Sequence, residues 1–593
     1  MGVSHLTSRR DPGRLAGALA FALPFAACAF TLCPTVYVGD SGEMVVLAHT
    51  LGVAQPTGFP LYCLVGKIAA LAPFGTLAAR VNLVSAASIA AAGLAVFLLL
   101  AARVRPALAL IGSLTLTLGH TAWSQGTIAR TYPITLAVTA AGLALAAACV
   151  RRPGRRRFLA LALGSGFALG THLLAVLILP VLAYLWLAEP APRKAAALGL
   201  FALGLSLYAY LPLRAPVTSY NAYGPLDTAG KLSDYLRQKR YERKQFSRSP
   251  ANLAAFARIL AGAGVTDQPF FVLLAPVALL GLIRAWRTER ELVLFLAVPA
   301  LANFFILLGY GDDTDLPFLP RYFLYVFLAL AVLYALGLED LAARMPRCPV
   351  VLLAAVLCGL GGASNARRCD RSHTVFPHDY AAALIAPLPP GALIFLAGDA
   401  STLMIDYLRY GEGQRPDIRC GEASTYQEVI APLLAQGKMP GAPMFANFLP
   451  AGLPPGLHAV HAGLVWQLTA GAPAIDRERF WRDWTFPGLE SDPALSDYEA
   501  AAVAGEVLLH RGLDQLEEGK PEEARDTFAR AARASPENRL LFYNLARIFA
   551  KRGWTAEARA HLERALALDV TAAAAGPEYR LERYRERGLE PAS

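Results

Sequence analysis

Over the first 360 or so positions, apolar residues come in long unbroken runs rather than in the spacing of a water-facing helix or strand. Runs near 15–33, 81–102, 106–122, 133–149, 158–170, 172–188, 195–212, 270–286, 291–309, 321–341 and 348–363 give about eleven candidate spans, since roughly 20 apolar residues cross the hydrocarbon core. If odd runs lead outward and even runs inward, the short basic loops all fall on one side. They hold Arg9, Arg10 and Arg14; Arg103 and Arg105; "RRPGRRR" at 151–157; Arg193 and Lys194; Arg284, Arg287 and Arg290; and Arg344 and Arg347. That sorting is the positive-inside pattern. The stretch 158–188 also reads as one long tilted helix, which inverts everything downstream. Two short spans meeting at "GTHLL", around His172, keep the sorting intact. The first run reads as an uncleaved anchor, with no small-x-small cleavage site before Cys33-Pro34.

After about Asn365 the pattern shortens. "PPGALIFLAGD" (389–399), "GQRPDIRC" and "GAPMFANF" read as short strands between Pro/Gly turns, with helical stretches such as "ASTLMIDYLRYGEG" between them. The Gly-Asp at the end of the first strand reads as a solvated strand end or as a ligand-contacting loop. The last hundred residues repeat at an offset of 34: Gly519 matches Gly553, Ala524 Ala558, Phe528 Leu562, Ala531 Ala565, and Gly512 Ala546. A 34-residue helix–turn–helix unit with small residues at the helix contacts resembles the tetratricopeptide repeat, whose arrays serve as docking surfaces or as stabilising tails. The expected architecture is mainly α: a polytopic membrane helical bundle over 1–364, a small α/β domain over 365–490, and tetratricopeptide-like helices over 491–593.

Composition agrees with the pattern. Of 593 residues, 55% are hydrophobic and 17% charged, a balance that excludes an ordinary soluble enzyme. The net charge of +10 sits in membrane-flanking loops, so it points to a bilayer and not to nucleic acid. The basic, aromatic stretch "KLSDYLRQKRYERKQFSR" in the loop 214–269 reads as a headgroup-facing segment or a solvated helix. Eight cysteines show no metal spacing; Cys369 and Cys420 lie in the soluble part, where an oxidising compartment would let them pair.

Candidate chemistry gathers behind the first span, in "VGDSGEMVVLAHTLGVAQPTGFP". An acidic pair beside a bilayer is costly unless hydrated or partnered. Asp40 and Glu43 share a face in a helical turn, and flanking glycines permit a turn that aims a carboxylate. "EMVVLAHTLGV" suits a helix lying in the interface, stopped by Gln55-Pro56. The plain alternative is a helix cap, with Asp40 or Ser41 capping and Glu43 favouring the dipole. Three aspartates in "GYGDDTDLP" (309–317) read as a solvated turn or a divalent-cation site.

The segment "GDSGEMVVLAHTLGVAQPTGFPLYCLVGKIAALAPFGTLAARVNLVSA" resembles the signature of the DUF2723 family. Further matches are "WSQGTIARTY" (123–132), "GTHLLAVLILP" (170–180), "YAYLPLRAP" (208–216) and "LPPGALIFLAGDASTLMIDYLRYGEGQRPDI" (388–418). This chain differs from that pattern at Gln55 and Thr57 of the turn, and at Arg130, where the family usually carries an acid. The resemblance implies a multi-spanning GT-C glycosyltransferase similar to the protein O-mannosyltransferases. Such an enzyme takes sugar, with mannose a candidate, from a polyprenyl-phosphate donor to a protein or glycan hydroxyl and inverts the sugar carbon. It implies an inner-membrane location, an extracytoplasmic active site and C-terminal domains on that same side, with a protein acceptor or partner engaging the repeats. No metal or other cofactor is expected. The acidic motif maps onto Asp40 as base, its pKa raised by desolvation, and Glu43 as its partner. The leaving phosphate needs cations, and those at the outer mouths are Arg214 in "LPLRAP", Arg321 in "FLPRYF", His172 and Arg80. A transporter of a lipid-linked substrate and a non-catalytic membrane-anchored repeat scaffold remain open alternatives.

Overall fold

A computed structural model of the chain describes residues 12–244, 250–269, 271–311, 313–437, 441–472, 474–587 and 589. Among the described residues, seven helices are long and apolar enough to cross a membrane: Gly13–Phe30, Leu77–Ala101, Thr131–Arg151, Ala191–Arg214, Arg290–Gly309, Leu324–Arg344 and Arg347–Cys369. Shorter apolar helices run over Pro60–Ala70, Pro106–Thr117, Leu173–Ala188 and Leu253–Gly262. The chain reads as a multi-pass membrane protein. Around His172 it does not run as one helix: Arg155–Leu169 ends, the chain turns, and Leu173–Ile178 starts a new helical stretch.

Small residues let these helices approach closely, since apolar burial drives no association in lipid. A methyl group at Gly281 would run into the Leu333 carbonyl, and one at Gly337 into that of Val277. The pair Phe271–Thr288 and Leu324–Arg344 therefore crosses backbone to backbone. Buried Leu77–Ala101 packs against Thr131–Arg151, the first helix and Pro106–Thr117, with Ser113 donating to the Gly93 carbonyl at 2.7 Å.

The basic loops around 103–105, 151–157 and 284–290 meet at one end of the bundle. Arg103 pairs with Glu289 at 2.8 Å and Arg105 with Glu339 at 3.1 Å, and Arg151 lies 3.9 Å from Glu289. Helix Thr131–Arg151 therefore begins just after Arg130 and ends in this basic cluster, about 30 Å away along the helix axis at 1.5 Å per residue. Whatever Arg130 binds lies at the opposite end of the bundle from the basic loops.

Beyond the bundle a mixed sheet is built from β1 (Leu393–Leu396), β2 (Arg419–Glu422), β3 (Met444–Ala446), β4 (His458–Ala462) and β5 (Val465–Thr469), in the order β2-β1-β3-β5-β4. Strand β1 is parallel to β2 and β3, and β5 is antiparallel to β3 and β4. Strands β1 and β3 lie inside the stretches read as strands, whereas "GQRPDIRC" is mostly loop and turn and β2 starts only at its last two residues, Arg419 and Cys420. Asp399, after β1, starts helix Asp399–Asp406 and is exposed. Cys369 and Cys420 are both free thiols.

The repeat becomes two helical hairpins, Tyr498–Glu517 with Pro521–Ala534 and Arg539–Lys551 with Thr555–Leu568, followed by Val570–Arg585. Gly519 and Gly553 hold the left-handed turns at φ 76°, and the matched Ala524, Phe528, Ala531, Ala546, Ala558, Leu562 and Ala565 form one buried cluster. A larger core runs across all three regions. It joins Tyr37 and Val45 of the membrane end, Tyr380 and Ile394 beside and within the sheet, and Ala500 and Val507 of the first tail helix.

Candidate active site

The acidic loop leads into helix Ser41–Thr50, which closes at Leu51 in the left-handed region, φ 51°. It stops earlier than Gln55-Pro56, and it does not lie on lipid: Ser41 through Ala48 are buried beneath protein. The motif's glycines explain the burial. Gly39 takes φ 67°, and a side chain there would collide with the Glu499 carboxylate. A side chain at Gly42 would strike the Leu403 carbonyl of helix Asp399–Asp406. Two distant segments thus close over the motif.

Asp40 holds the N-cap position but makes no capping hydrogen bond, and the buried Ser41 Oγ has no hydrogen-bond partner among the described residues, so neither candidate caps the helix. Asp40 Oδ2 instead pairs with Arg130 Nη1 at 2.7 Å and lies 3.8 Å from Arg321 Nη2. A second carboxylate completes the cluster. Glu499 Oε2 accepts from Arg130 Nη2 at 2.7 Å, and its Oε1 lies 3.4 Å from Arg321 Nη1. Arg130 is sealed in, with 1% of its side chain exposed, while Asp40 keeps 20%, Glu499 14% and Arg321 13%. The reachable members are therefore Asp40, Arg321 and Glu499.

The electrostatics correct one expectation. Burial alone would raise the Asp40 pKa, but the guanidiniums of Arg130 and Arg321 hold it below the ordinary carboxylate value. Asp40 stays ionised. Glu43 behaves oppositely: burial, then the Asp40 charge, push it up to about 8. Its Oε1 accepts from the Gln55 amide at 3.2 Å, so it braces the turn and makes no contact with the arginines. Burial also raises Glu499, against the pull of Arg130 and Arg321.

Of the four cations expected to hold phosphate, the structure brings one to Asp40. Arg321 sits in an aromatic cage of Phe318, Tyr322 and Tyr132, with ring centres 5.0, 5.4 and 5.7 Å from its guanidinium carbon. His172 lies on the wall of that cage, 5.3 Å from the Tyr132 ring and stacked on Phe59 at 5.6 Å. Burial lowers its pKa to about 4, and its Nδ1 accepts from the Leu174 amide at 3.1 Å. It is a neutral ring that offers Nε2–H, not a cation. Arg214 and Arg80 belong elsewhere. Arg214 donates to the Leu51 and Thr50 carbonyls at 3.0 Å each, tying off the end of helix Ser41–Thr50. Arg80 donates to the Thr76 and Ala72 carbonyls. Arg214 thus serves a helix C-terminus, the ordinary use of a cation there, and Arg80 ties the loop before helix Leu77–Ala101 to that helix's start.

Two members of the cluster were not named as site residues from the sequence. Arg130 stood out only as a departure from a family pattern. Glu499, in the first turn of a tail helix, looks like any acid at a helix N-terminus. The aspartates of 309–317 fall on Asp312, outside the described residues, and on two whose side chains are not described. Among the described residues no group of three or more His, Cys, Asp or Glu is placed to hold a metal ion.

This geometry begins where a family match begins. Residues 40–195 match the Protein O-mannosyl-transferase TMEM260 N-terminal domain. The mouse Protein O-mannosyl-transferase TMEM260 is 27% identical over 440 residues, 68% of this chain and 62% of the mouse protein. The chain thus spans somewhat under two thirds of that relative. A Dictyostelium discoideum protein of the same name is 50% identical over 38 residues, 6% of this chain and 5% of its own length. Among solved structures, ArnT from Cupriavidus metallidurans bound to undecaprenyl phosphate has a TM-score of 0.51 at 13% identity, covering 77% of this chain and 98% of that one. Its apo state gives the same score and covers 78% of this chain. The TMEM260-like segment carries Asp40, Glu43, Arg130 and His172; Arg321 and Glu499 lie beyond it.

Proposed function

We propose that the chain is a membrane glycosyltransferase of GT-C type. It moves a sugar from a polyprenyl-phosphate donor to a protein or glycan hydroxyl, on the face of the bundle opposite the basic loops. The observation that carries this reading is the Asp40 carboxylate. It is drawn out of its helix cap, partly accessible, and placed within 4 Å of a caged arginine. The TMEM260 relatives support sugar transfer, and the ArnT likeness supports a lipid-phosphate donor.

In this mechanism the acceptor oxygen bonds the sugar's anomeric carbon as the carbon–oxygen bond to phosphate breaks. The acceptor proton passes to Asp40, and the electron pair leaves with the phosphate. Because Asp40 is a weak base, proton transfer comes late, once the attacking oxygen has begun to bond and its proton has become acidic. Arg321 faces the phosphate as it gains charge, in a site that needs no reorganisation. His172 offers a neutral N–H from the cage wall. The tail hairpins present the protein acceptor.

The test is mass spectrometry of extracytoplasmic proteins and glycans in cells lacking the gene. A defined hexose should be missing, restored by wild type and not by Asp40→Asn expressed and folded at the same level; loss of the general base alone costs roughly 10²–10⁴-fold. An unchanged glycan profile, or full restoration by Asp40→Asn, refutes the reading.

A further inference from the structure

The four charged groups at the Asp40 loop sum to zero, two guanidiniums against two carboxylates. A sugar phosphodiester adds one negative charge; on leaving as a phosphate monoester it gains a second, which the proton taken up by Asp40 offsets. The donor's own charge therefore competes with the two carboxylates for the guanidiniums, and the contacts show which guanidinium is held more weakly. Arg130 grips Asp40 and Glu499 at 2.7 Å each, whereas Arg321 is held loosely, 3.8 Å from Asp40 and 3.4–3.5 Å from Glu499. The buried Nε of Arg321 has no hydrogen-bond partner among the described residues. Both Glu499 oxygens lie against one nitrogen, Nη1, so the carboxylate takes only part of the guanidinium that a phosphate could grip with two.

We propose that Glu499 is a placeholder for the donor phosphate: its carboxylate occupies the anion site on Arg321 while the site is empty and yields it when donor binds. The inference rests on the lipid-phosphate reading above and adds to it a moving part. Glu499 lies in the first turn of the tail helix Tyr498–Glu517, and that turn is docked by its neighbours. Asp497 caps it through the Glu499 amide at 2.9 Å and lies 3.4 Å from Arg371, and Tyr498 packs edge-on to Phe318, a wall of the Arg321 cage. Yielding Arg321 therefore loosens the seat of the tail helix, so the tail senses whether donor is present. Arg130 keeps its hold on Asp40 throughout and the base stays in place.

The experiment measures undecaprenyl phosphate binding to the full-length protein in detergent by native mass spectrometry. Glu499→Gln keeps the shape and removes the competing charge, so it should bind about tenfold tighter than wild type, and Glu499→Asp should return toward wild-type affinity. Inorganic phosphate at equal concentration should not compete. Equal or weaker binding by Glu499→Gln overturns the placeholder while wild-type binding leaves the donor reading standing. No binding by either protein refutes both. Competition by inorganic phosphate shows a general anion site and overturns the donor-specific role. Amide exchange over 497–506 in wild type is the second readout: it should speed up when undecaprenyl phosphate is added, and unchanged or slower exchange overturns the proposal even where Glu499→Gln fails to fold.

Discussion

Replacing Arg130 by methionine keeps most of its buried volume and deletes the charge that joins Asp40 to Glu499. In wild type the local charge is two positive and two negative. Arg130→Met leaves two carboxylates to share Arg321, at 3.8 and 3.4 Å, and strips the Val38 carbonyl of a 3.0 Å donor. Breaking a buried pair by removing one partner costs about 3–5 kcal/mol, and here the orphaned carboxylates keep some access to water, so the lower end applies. Glu499→Gln alone leaves an unpaired positive charge at a partly exposed edge and costs about 1 kcal/mol. The double variant holds one charge of each sign and should recover about 2 kcal/mol relative to the sum of the single effects. Thermal unfolding of the detergent-solubilised protein at pH 7, followed by tryptophan fluorescence, reads this cycle. Arg130→Met should melt roughly 2–3 °C below wild type, and the double variant should melt above Arg130→Met. Should Arg130→Met melt with wild type, or the two effects simply add, the arginine is not the keystone the geometry makes it.

Two further outcomes follow from side chains whose roles the structure reassigned. Glu43 has its pKa pushed from an ordinary 4.5 to about 8, so its contribution to stability is present below pH 4.5 and is lost as pH rises through 8. Wild type should lose melting temperature between pH 6 and 9 more steeply than Glu43→Gln, and equal slopes refute the buried neutral carboxyl. Arg214→Ala frees the Thr50 and Leu51 carbonyls and should cost about 1–3 kcal/mol, while the donor KM stays within about twofold of wild type; a large rise in donor KM with unchanged melting returns Arg214 to phosphate binding.

What the sequence disclosed and what it hid divide along chain distance. The membrane runs, the short strands and the 34-residue repeat are local patterns, and periodicity reports them directly. Asp40 was legible because an acid beside a span is costly wherever it points. Arg321 is one of several arginines at helix ends, and Arg214 and Arg80 end on carbonyl groups. Two rings of its cage, Phe318 and Tyr322, are its neighbours in the chain and were a local signal; the third, Tyr132, lies far along the chain. Glu499 was invisible because its partner Arg130 is 369 positions away. Desolvation was the wrong guide to the Asp40 pKa for the same reason: burial can be guessed from neighbours in sequence, but the two guanidiniums that outweigh it arrive from elsewhere.

The glycines of "GDSG" tie these observations together. A sequence reading assigns them to the turn, and the φ of 67° at Gly39 agrees. Yet each also removes a side chain at a contact with a remote segment, Gly39 facing Glu499 of the tail and Gly42 facing Leu403 beside the sheet. The loop that carries Asp40 is therefore finished only when the sheet region and the first tail helix are seated on it. It follows that removing the tail does not separate a docking module from a catalytic one, because the cut takes away the fourth charge of the cluster along with any acceptor surface. A truncation that abolishes activity says nothing on its own about whether the tail binds acceptor. Point substitutions on the second hairpin, Arg539–Lys551 with Thr555–Leu568, far along the tail from Glu499, are the changes able to tell an acceptor-presenting surface from a structural brace.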